Sequence, residues 1–339
     1  MEVKKRNLNL DLTKCIAVFT VLSVHFFYNN GFYSIPVATP RMYVMTGMRT
    51  LFMICVPLFL LVTGALMNRK TLSRQYYRGV RHTLFIYLLS CIACMIFNYF
   101  YKGTPYTLLS AFLSIFDFTA AQYSWYVEMY LGLFLIIPFL NLIYQNLGTK
   151  RQKQVLVLSF LALTTLPTTI NYCQEIIPNW WQGFYPVSYY FLGAYLMEYP
   201  PRTKKRFLAL FLLLWISFCT AFNIYFCHGE KFVWAIYNGW GGFQNVVSSA
   251  LVFALIQKLD LSHLPKWVQK LIVQISVLSF GTYLVSYIFD QIFYQKLNSS
   301  ILFMEDRLVY YPIIVPAVFV CSLILSQCFQ WIYQLFFRK

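Results

Sequence analysis

Long apolar stretches recur along the whole 339-residue chain, and they constrain its fold more than any other feature. A helix of about 20 apolar residues is long enough to span the roughly 30 Å of hydrocarbon in a membrane. We place such spans at 10–30, 44–67, 82–101, 124–145, 154–171, 183–199, 206–227, 239–257, 271–294 and 308–335. The sequence therefore predicts an all-α, polytopic membrane helix bundle of about ten transmembrane helices.

Composition supports a membrane protein. Hydrophobic residues make up 59% of the chain and charged residues only 11%, whereas charged residues are about 25% of a typical soluble domain. Twenty of the 27 Lys and Arg residues fall in alternate loops on the side of the N-terminus, and five fall in the opposite loops. This positive-inside bias places both termini in the cytoplasm of a multi-pass plasma-membrane protein. The net charge of +16 then reflects orientation and lipid contact, not nucleic-acid binding.

The chain is expected to form a single membrane domain over 1–339. Its basic N-terminus precedes an apolar run that lacks a small-residue cleavage pattern, so we expect an uncleaved first helix. Most of the nine cysteines lie inside apolar spans, where a thiol packs as a small hydrophobic group. We expect no metal site and no bound cofactor, and the pairing of Cys173 with Cys227 stays open.

The first span carries three ionisable residues on one face. Asp11, Lys14 and His25 lie in the segment DLTKCIAVFTVLSVHFFYNN. Eleven residues of helix return a side chain to within about 20° of its starting direction, and they rise roughly 16 Å. Ionisable groups inside a membrane helix are costly, and they usually face a bundle interior or a wet cavity. The stripe therefore indicates a functional site, although a structural histidine bonded to a neighbouring helix is the alternative.

Further motifs follow the first span in a fixed order. These are VPLFLLVTGALM (56–67), RKTLSRQYYRGVRH (69–82), Ser124-Trp125-Tyr126, IIPFLNLIY (136–144), YYFLGAYL (189–196) and LSFGTYLVSY (278–287). Together with Lys14 and His25, which have ten residues between them, this set resembles the acyltransferase-3 family of integral membrane acyltransferases. Two positions depart from the family pattern, since Thr63 stands where Ser precedes Gly and Ser286 stands where a late His is usual.

The resemblance implies acyl transfer, most often O-acetylation, from acyl-CoA as co-substrate. The expected acceptor is a hydroxyl of a cell-envelope polysaccharide or lipid-linked sugar outside the cytoplasm. The expected partners are the donor, the acceptor and the lipid bilayer, and no nucleic-acid partner is expected. Whether the chain forms a homo-oligomer stays open. Family members with a second, extracellular hydrolase-like domain pass the acyl group to it, and since no such domain is seen here, we expect transfer to the acceptor itself or to a separate partner protein.

His25 and Glu128 are the candidate catalytic residues. An imidazole exchanges protons near neutral pH, so His25 suits the removal of the proton from the acceptor hydroxyl. Glu128, one turn into the fourth helix, could orient His25 or pair with Arg49, and its alternative is an interfacial carboxylate. Arg49 could hold an anionic acceptor, with snorkelling to the outer interface as the alternative. Trp125 is a further candidate for substrate contact.

The donor is expected to bind near the cytoplasmic end of the bundle. Arg78 and Arg81 are the preferred phosphate ligands of acyl-CoA, because arginine binds phosphate in a bidentate way and the two share a helix face at i,i+3 spacing. Plain positive-inside anchoring is the alternative for this basic segment. Lys14 could pair with Asp11 or hold CoA at the inner mouth of a channel that leads the thioester to His25.

Two other functions compete with acyl transfer. A transporter or flippase of a lipid-linked sugar or small solute would also carry charges near the midplane, but no Gly/Pro-interrupted helices recur in two halves. A membrane glycosyltransferase would be expected to have larger and more charged outer loops. The abundant aromatic residues indicate an interfacial belt first, and Trp180, Trp181 and Tyr185 are a weaker candidate for a sugar platform.

Overall fold

The computed structural model describes residues 6–172 and 174–337. Outside these ranges lie Cys173 and four of the basic residues counted above, which are Lys4, Lys5, Arg338 and Lys339. The first helices are α1 Leu8–Asn29, α2 Pro40–Phe52, α3 Cys55–Met67, α4 Arg74–Arg78, α5 Arg81–Lys102, α6 Leu108–Phe116 and α7 Trp125–Asn146. They are followed by α8 Lys150–Thr164, α9 Leu166–Ile170, α10 Tyr185–Glu198, α11 Lys205–Cys227, α12 Phe243–Gln257, α13 Lys266–Ser300 and α14 Tyr311–Phe337.

The all-α membrane architecture is confirmed over the described residues. Seven segments are long and apolar enough to cross a membrane: Leu8–Ser34, Pro40–Met67, Arg74–Lys102, Trp125–Asn146, Lys205–Cys227, Lys266–Ser300 and Met304–Phe337. Each coincides with a predicted span, although the boundaries differ by up to eight residues, the largest difference being at Arg74–Lys102 against 82–101. The short helix α6 was not predicted, since nine residues are too few to produce a transmembrane signal.

The three remaining predicted spans are helical but short. The span at 154–171 is broken into α8 and α9 beside Pro167, while α10 has 14 residues and α12 has 15. Fourteen residues of helix rise only about 21 Å, less than the roughly 30 Å of hydrocarbon. Most of α10 is buried against other helices. The count of ten membrane crossings therefore stays a prediction. Seven segments are long and apolar enough to cross, as judged from their length and composition.

The described residues form two compact units. The first unit contains the chain up to Lys70 and Phe139–Ser276, and the second contains Thr71–Pro138 and the chain from Val277 onward. In the first unit α1 packs against α2, α3 and α12, and α10 packs against α3 and α8. In the second unit α5 packs against α6 and α14. A single domain over 1–339 stays a prediction.

Two glycines allow α3 and α10 to pack backbone against backbone in the first unit. A Cβ atom on Gly64 would overlap the carbonyl group of Tyr190, and a Cβ atom on Gly193 would overlap the carbonyl group of Leu61. Small residues at such crossings let membrane helices approach closely. Gly64 therefore lies at a close helix crossing, and its partner lies in the YYFLGAYL motif.

The predicted second span is interrupted where Pro57 requires it. Helix α2 ends at Phe52 and α3 begins at Cys55, so the break lies at Met53 and Ile54. Proline lacks the N–H that would bond the carbonyl four residues earlier, and its ring crowds that carbonyl. That carbonyl belongs to Met53, which lies in the break. The interruption changes the direction of the α2 axis, and therefore the position of Arg49, relative to α3.

Candidate active site

Helix α1 carries three of the predicted site residues on one unbroken segment. The side chain of Asn7 caps its N-terminus by accepting hydrogen bonds from the backbone N–H groups of Asn9 and Leu10. Because α1 continues to Asn29, Lys14 and His25 share a face and lie about 16 Å apart along the axis. The helix packs against α2, α3 and α12 within the first unit. The polar stripe is thus built into the helix on which three others pack.

Asp11 is held by Arg6, not by Lys14. The Arg6 guanidinium donates two hydrogen bonds to the Asp11 carboxylate, at 2.7 and 2.8 Å, and the hydroxyl of Ser276 donates a third at 2.6 Å. The hydrogen bond to Asp11 raises the pKa of Arg6 above its ordinary value. Lys14 is partly buried and, among the described residues, its amine has no hydrogen bond or ion pair. Of the two roles considered for Lys14, a hydrogen-bonded pair with Asp11 is not formed, which leaves the amine available for a substrate anion.

His25 lies in the last two turns of α1 and is partly buried. Its Nδ1 atom is buried, and its backbone carbonyl accepts a hydrogen bond of 2.9 Å from the side chain of Asn29. The chain after α1 pairs with the loop after α11, where the N–H of Val37 donates to the carbonyl of Glu230 at 2.8 Å. His25 therefore lies toward the end of the first unit that these two loops cover.

Arg49 lies in a fully buried aromatic enclosure. Its guanidinium carbon is 4.7 Å from the ring centre of Phe232 and 5.0 Å from that of Trp234. It also donates hydrogen bonds of 3.3 Å to the hydroxyl of Tyr33 and to the carbonyl of Asn238. Among the described residues of the first unit, no carboxylate forms an ion pair with it.

This environment corrects one expectation for Arg49. The alternative that it snorkels to the interface is wrong, since the residue is 0% exposed. Cation–π contacts are strongest where water is excluded, at about 2 kcal/mol or more, so the rings of Phe232 and Trp234 stabilise the buried charge. The Nη2 atom has no hydrogen-bond partner among the described residues. The guanidinium therefore fixes the two aromatic rings in place from within.

Asn141 fixes the start of the basic segment that follows α3. Its side-chain amide donates hydrogen bonds of 2.7 Å to the carbonyls of Met67 and Lys70, and its oxygen accepts one of 2.5 Å from Tyr190. Asn141 belongs to the IIPFLNLIY motif and Tyr190 to YYFLGAYL. These motifs therefore hold the chain in the first unit where it leaves α3 toward Arg69 and Lys70.

Arg78 and Arg81 are both exposed and lie at the facing ends of two helices in the second unit. Helix α4 ends at Arg78 and α5 begins at Arg81, with Gly79 and Val80 between them. Gly79 and Val80 keep right-handed helical backbone angles, and the shared face predicted from the i,i+3 spacing stays a prediction. The side chain of Arg81 donates a hydrogen bond of 3.3 Å to the carbonyl of Arg78. Both guanidinium groups keep donors for a phosphate.

We expect Arg78→Ala or Arg81→Ala to raise the KM for acyl-CoA more than it lowers kcat. A charge against phosphates contributes to donor binding, because those phosphates do not change as the thioester reacts. Each lost contact should cost roughly 1.5–3 kcal/mol, about ten- to a hundredfold in affinity. Steady-state kinetics in nanodiscs measure this, with Arg206→Ala as the charge-matched control. Wild-type KM in both variants would contradict the donor role.

Trp125 and Glu128 open α7 in the second unit, and both are exposed. Trp125 contacts Tyr126 edge-on, with 6.1 Å between the ring centres. Among the described residues of that unit, the Glu128 carboxylate accepts no hydrogen bond and forms no ion pair. Its proposed partners, His25 and Arg49, belong to the first unit. The role of Glu128 stays a prediction.

Asp290 is a buried carboxylate of the second unit, and it was not among the candidate site residues predicted from the sequence. It is 0% exposed and accepts a hydrogen bond of 2.8 Å from Tyr123, whose carbonyl in turn accepts one from Tyr283. Ser286, at the family's late His position, is also buried and donates to the carbonyl of Tyr283 at 2.8 Å. The segment around Ser286 therefore forms a packed network of hydroxyl groups. A carboxylate one helical turn beyond Ser286 was the available signal.

The described residues offer no cluster of three or more His, Cys, Asp or Glu side chains suited to a metal ion. The eight cysteines among them are free. The thiol of Cys15 donates to the carbonyl of Ile272 at 3.3 Å, a packing role of the kind expected in apolar spans.

Comparison with known protein families gives a match over most of the chain. The family model described as an acyltransferase domain, that of the acyltransferase-3 family, matches residues 7–327. The match begins at the cap of α1 and ends within α14, so it covers both compact units. No curated protein and no solved structure matches the chain.

Proposed function

This chain belongs to the acyltransferase-3 family of membrane acyltransferases, and we propose that it acylates an extracytoplasmic hydroxyl. The donor is cytoplasmic acyl-CoA, with acetyl as the first acyl group to test. The acceptor is a cell-envelope polysaccharide or a lipid-linked sugar. The enzyme resides in the plasma membrane with both termini in the cytoplasm, an orientation supported by the distribution of Lys and Arg.

The placement of Lys14 and His25 on α1 carries this proposal. Donor and acceptor lie on opposite sides of the membrane, so the enzyme must bring a thioester and a hydroxyl together within the bilayer. Lys14, whose amine has no hydrogen bond or ion pair among the described residues, lies on the cytoplasmic side and suits the phosphates of CoA. His25 lies about 16 Å further along the same face, a distance that an extended pantetheine arm spans.

The chemical step follows from these two positions. His25 takes the proton of the acceptor hydroxyl as the oxygen attacks the thioester carbonyl. The new ester C–O bond forms, the C–S bond breaks, and the imidazolium returns the proton to the CoA thiolate. General-base catalysis of this kind contributes about 10²–10⁴-fold to rate. Arg49 acts by supporting the loop that carries Phe232 and Trp234, at the same end of the first unit as His25.

Mass spectrometry of envelope glycans tests the proposed reaction. Cells that contain the gene should carry an ester on the acceptor that cells without it lack, and a gene encoding His25→Gln should not restore it. Mild alkali should remove the mass difference, since it cleaves esters. Identical glycan masses with and without the gene would contradict acylation of an envelope sugar.

We expect acylation to require donor on the cytoplasmic face. In vesicles of known orientation that carry acceptor on the opposite side, acyl-CoA at the cytoplasmic face should support transfer, and acyl-CoA confined to the outer face should give none. The reason is that CoA phosphates do not cross the bilayer and the basic loops face inward. Disrupting the vesicles with detergent serves as the control, because it should make both preparations equally active. Equal activity from either face of intact vesicles would contradict this arrangement.

A further inference from the structure

A cavity of about 360 Å³ lies in the first unit, among the ends of α8, α9, α10 and the loop before α12. Small-ligand pockets in proteins range over about 300–1,000 Å³, so this one suits a single ring-sized group. The segment Pro36–Val37 after α1 forms bridges with Lys231 and His228 of the loop that lines the cavity. The cavity therefore belongs to the same end of the first unit as His25.

Aromatic rings form much of the cavity wall. Trp234 and Trp240 meet edge to face with 5.4 Å between ring centres, and Tyr185 is a further lining residue. The faces of aromatic rings are electron-rich and attract weakly positive C–H groups. Trp234 is 44% exposed, far more than an indole kept for core packing. Such a wall suits the C–H face of a sugar ring.

The cavity also presents hydrogen-bond donors that the protein does not use. The side-chain nitrogen of Gln182 is buried and has no hydrogen-bond partner among the described residues. The indole N–H of Trp234, in a residue that is 44% exposed, also donates to no other described group, and a Cβ on Gly239 would lie 3.4 Å from the indole nitrogen. An unpaired buried donor is costly, at about 1–3 kcal/mol. A ligand with hydroxyl acceptors would remove that cost.

The chemistry of the lining restricts the charge of the ligand. No Asp, Glu, Lys, Arg or His side chain is among the lining residues, which are Thr164, Thr168, Gln182, Gly183, Tyr185, Trp234, Ala235, Ile236, Gly239, Trp240, Gly241 and Gly242. A charged group entering such a cavity would lose water without gaining a counter-ion. The ligand is therefore neutral and rich in hydroxyl groups.

We propose that this cavity binds one neutral pyranose ring of the acceptor glycan and holds it at the end of the first unit that contains His25. The inference rests on the proposed function and adds the position and charge class of the acceptor. Trp234, Trp240 and Gln182 contact the sugar. Arg49 is a positioning residue, because its guanidinium lies over Trp234 and binds the carbonyl of Asn238 in the same loop.

Sugar binding can be measured without any acyl donor. Saturation-transfer NMR with the full chain in nanodiscs would use methyl glucoside, methyl galactoside and methyl N-acetylglucosaminide as neutral probes, and methyl glucuronide as the charged probe. We expect at least one neutral probe to bind and the glucuronide to bind at least tenfold more weakly. Failure of all neutral probes to bind, or equal binding of the glucuronide, would overturn the proposal.

Matched variants place the bound probe in the cavity. Trp240→Ala should abolish binding and Gln182→Ala should weaken it about tenfold, the usual cost of one lost hydrogen bond. Trp267→Ala is the control, since Trp267 is 69% exposed and lies outside the cavity. Unchanged binding in Gln182→Ala and Trp240→Ala would refute the site. If the wild-type protein binds the sugar probe in this cavity but does not acylate an acceptor, the result would count against the proposed reaction and not against the sugar site.

Discussion

Replacing His25 by Ala is expected to abolish acyl transfer while the protein still folds and inserts into the membrane. The loss should reach about 10²–10⁴-fold in kcat, the usual contribution of a general base. The side chain is only partly buried, so its removal leaves a small cavity and little lost packing. The measurement is acylation of the acceptor in membranes supplied with acyl-CoA, normalised to the amount of folded protein.

Two further variants separate chemistry from structure at this position. Glutamine keeps a hydrogen-bonding side chain of similar size but cannot take a proton, so His25→Gln should be as inactive as His25→Ala. A histidine that only joins helices would instead tolerate Gln. His263→Ala is the control, because His263 is exposed and its ion-pair partner among the described residues is Asp260 in the same loop. Robust acylation by either His25 variant would remove His25 from the mechanism.

Hydropathy predicted the class of fold and the positions of all ten helical segments, but it could not establish ten crossings. An apolar run reads the same whether a helix faces lipid or is enclosed by other helices. Helix α10 is apolar because α3 and α8 cover it, and it is too short to cross on its own. Helix α6 was missed for the opposite reason, as a short segment of exposed apolar residues.

Helical periodicity was sufficient to place the candidate site residues of α1 on one face, because all of them belong to one helix. The face that joins Asp11, Lys14 and His25 depends only on an unbroken helix, which α1 provides. Periodicity could not find the partner of Asp11, since Arg6 precedes the helix. Nor could it find the enclosure of Arg49, because Phe232 and Trp234 lie in a loop far along the chain. Contacts between distant segments require the fold.

The ordered motifs of the chain carry packing as well as chemistry. Gly64 in one motif and Gly193 in another make the crossing of α3 and α10, and Asn141 and Tyr190 fix the segment after α3. These residues hold the helices around α1 at a fixed spacing. A family resemblance built on such motifs therefore reflects how the helices around α1 pack, whereas the proposed chemistry is assigned to the α1 stripe.

Replacing Gly64 by Ala is accordingly expected to have a large effect on stability. The new Cβ would overlap the carbonyl group of Tyr190, which is backbone and cannot rotate away. Overpacking of a close-packed interior costs about 1–3 kcal/mol, and separating two backbones should reach the upper end of that range. Thermal unfolding in detergent, followed by tryptophan fluorescence, would measure the decrease in Tm. Gly193→Ala should give a similar decrease, because its Cβ would meet Leu61.

The double variant tests whether the two glycines form one contact. Once Gly64→Ala has separated α3 from α10, the second methyl group has space, so the double variant should cost less than the sum of the single variants. Gly132→Ala in α7 is the control, since no atom lies within 4 Å of the position that its Cβ would take. Alanine there should be neutral or stabilising by up to about 1 kcal/mol, because it favours the helix. Strict additivity of the two single variants would contradict one shared contact, and an equal decrease in stability for Gly132→Ala would show that the α3–α10 crossing is not its cause.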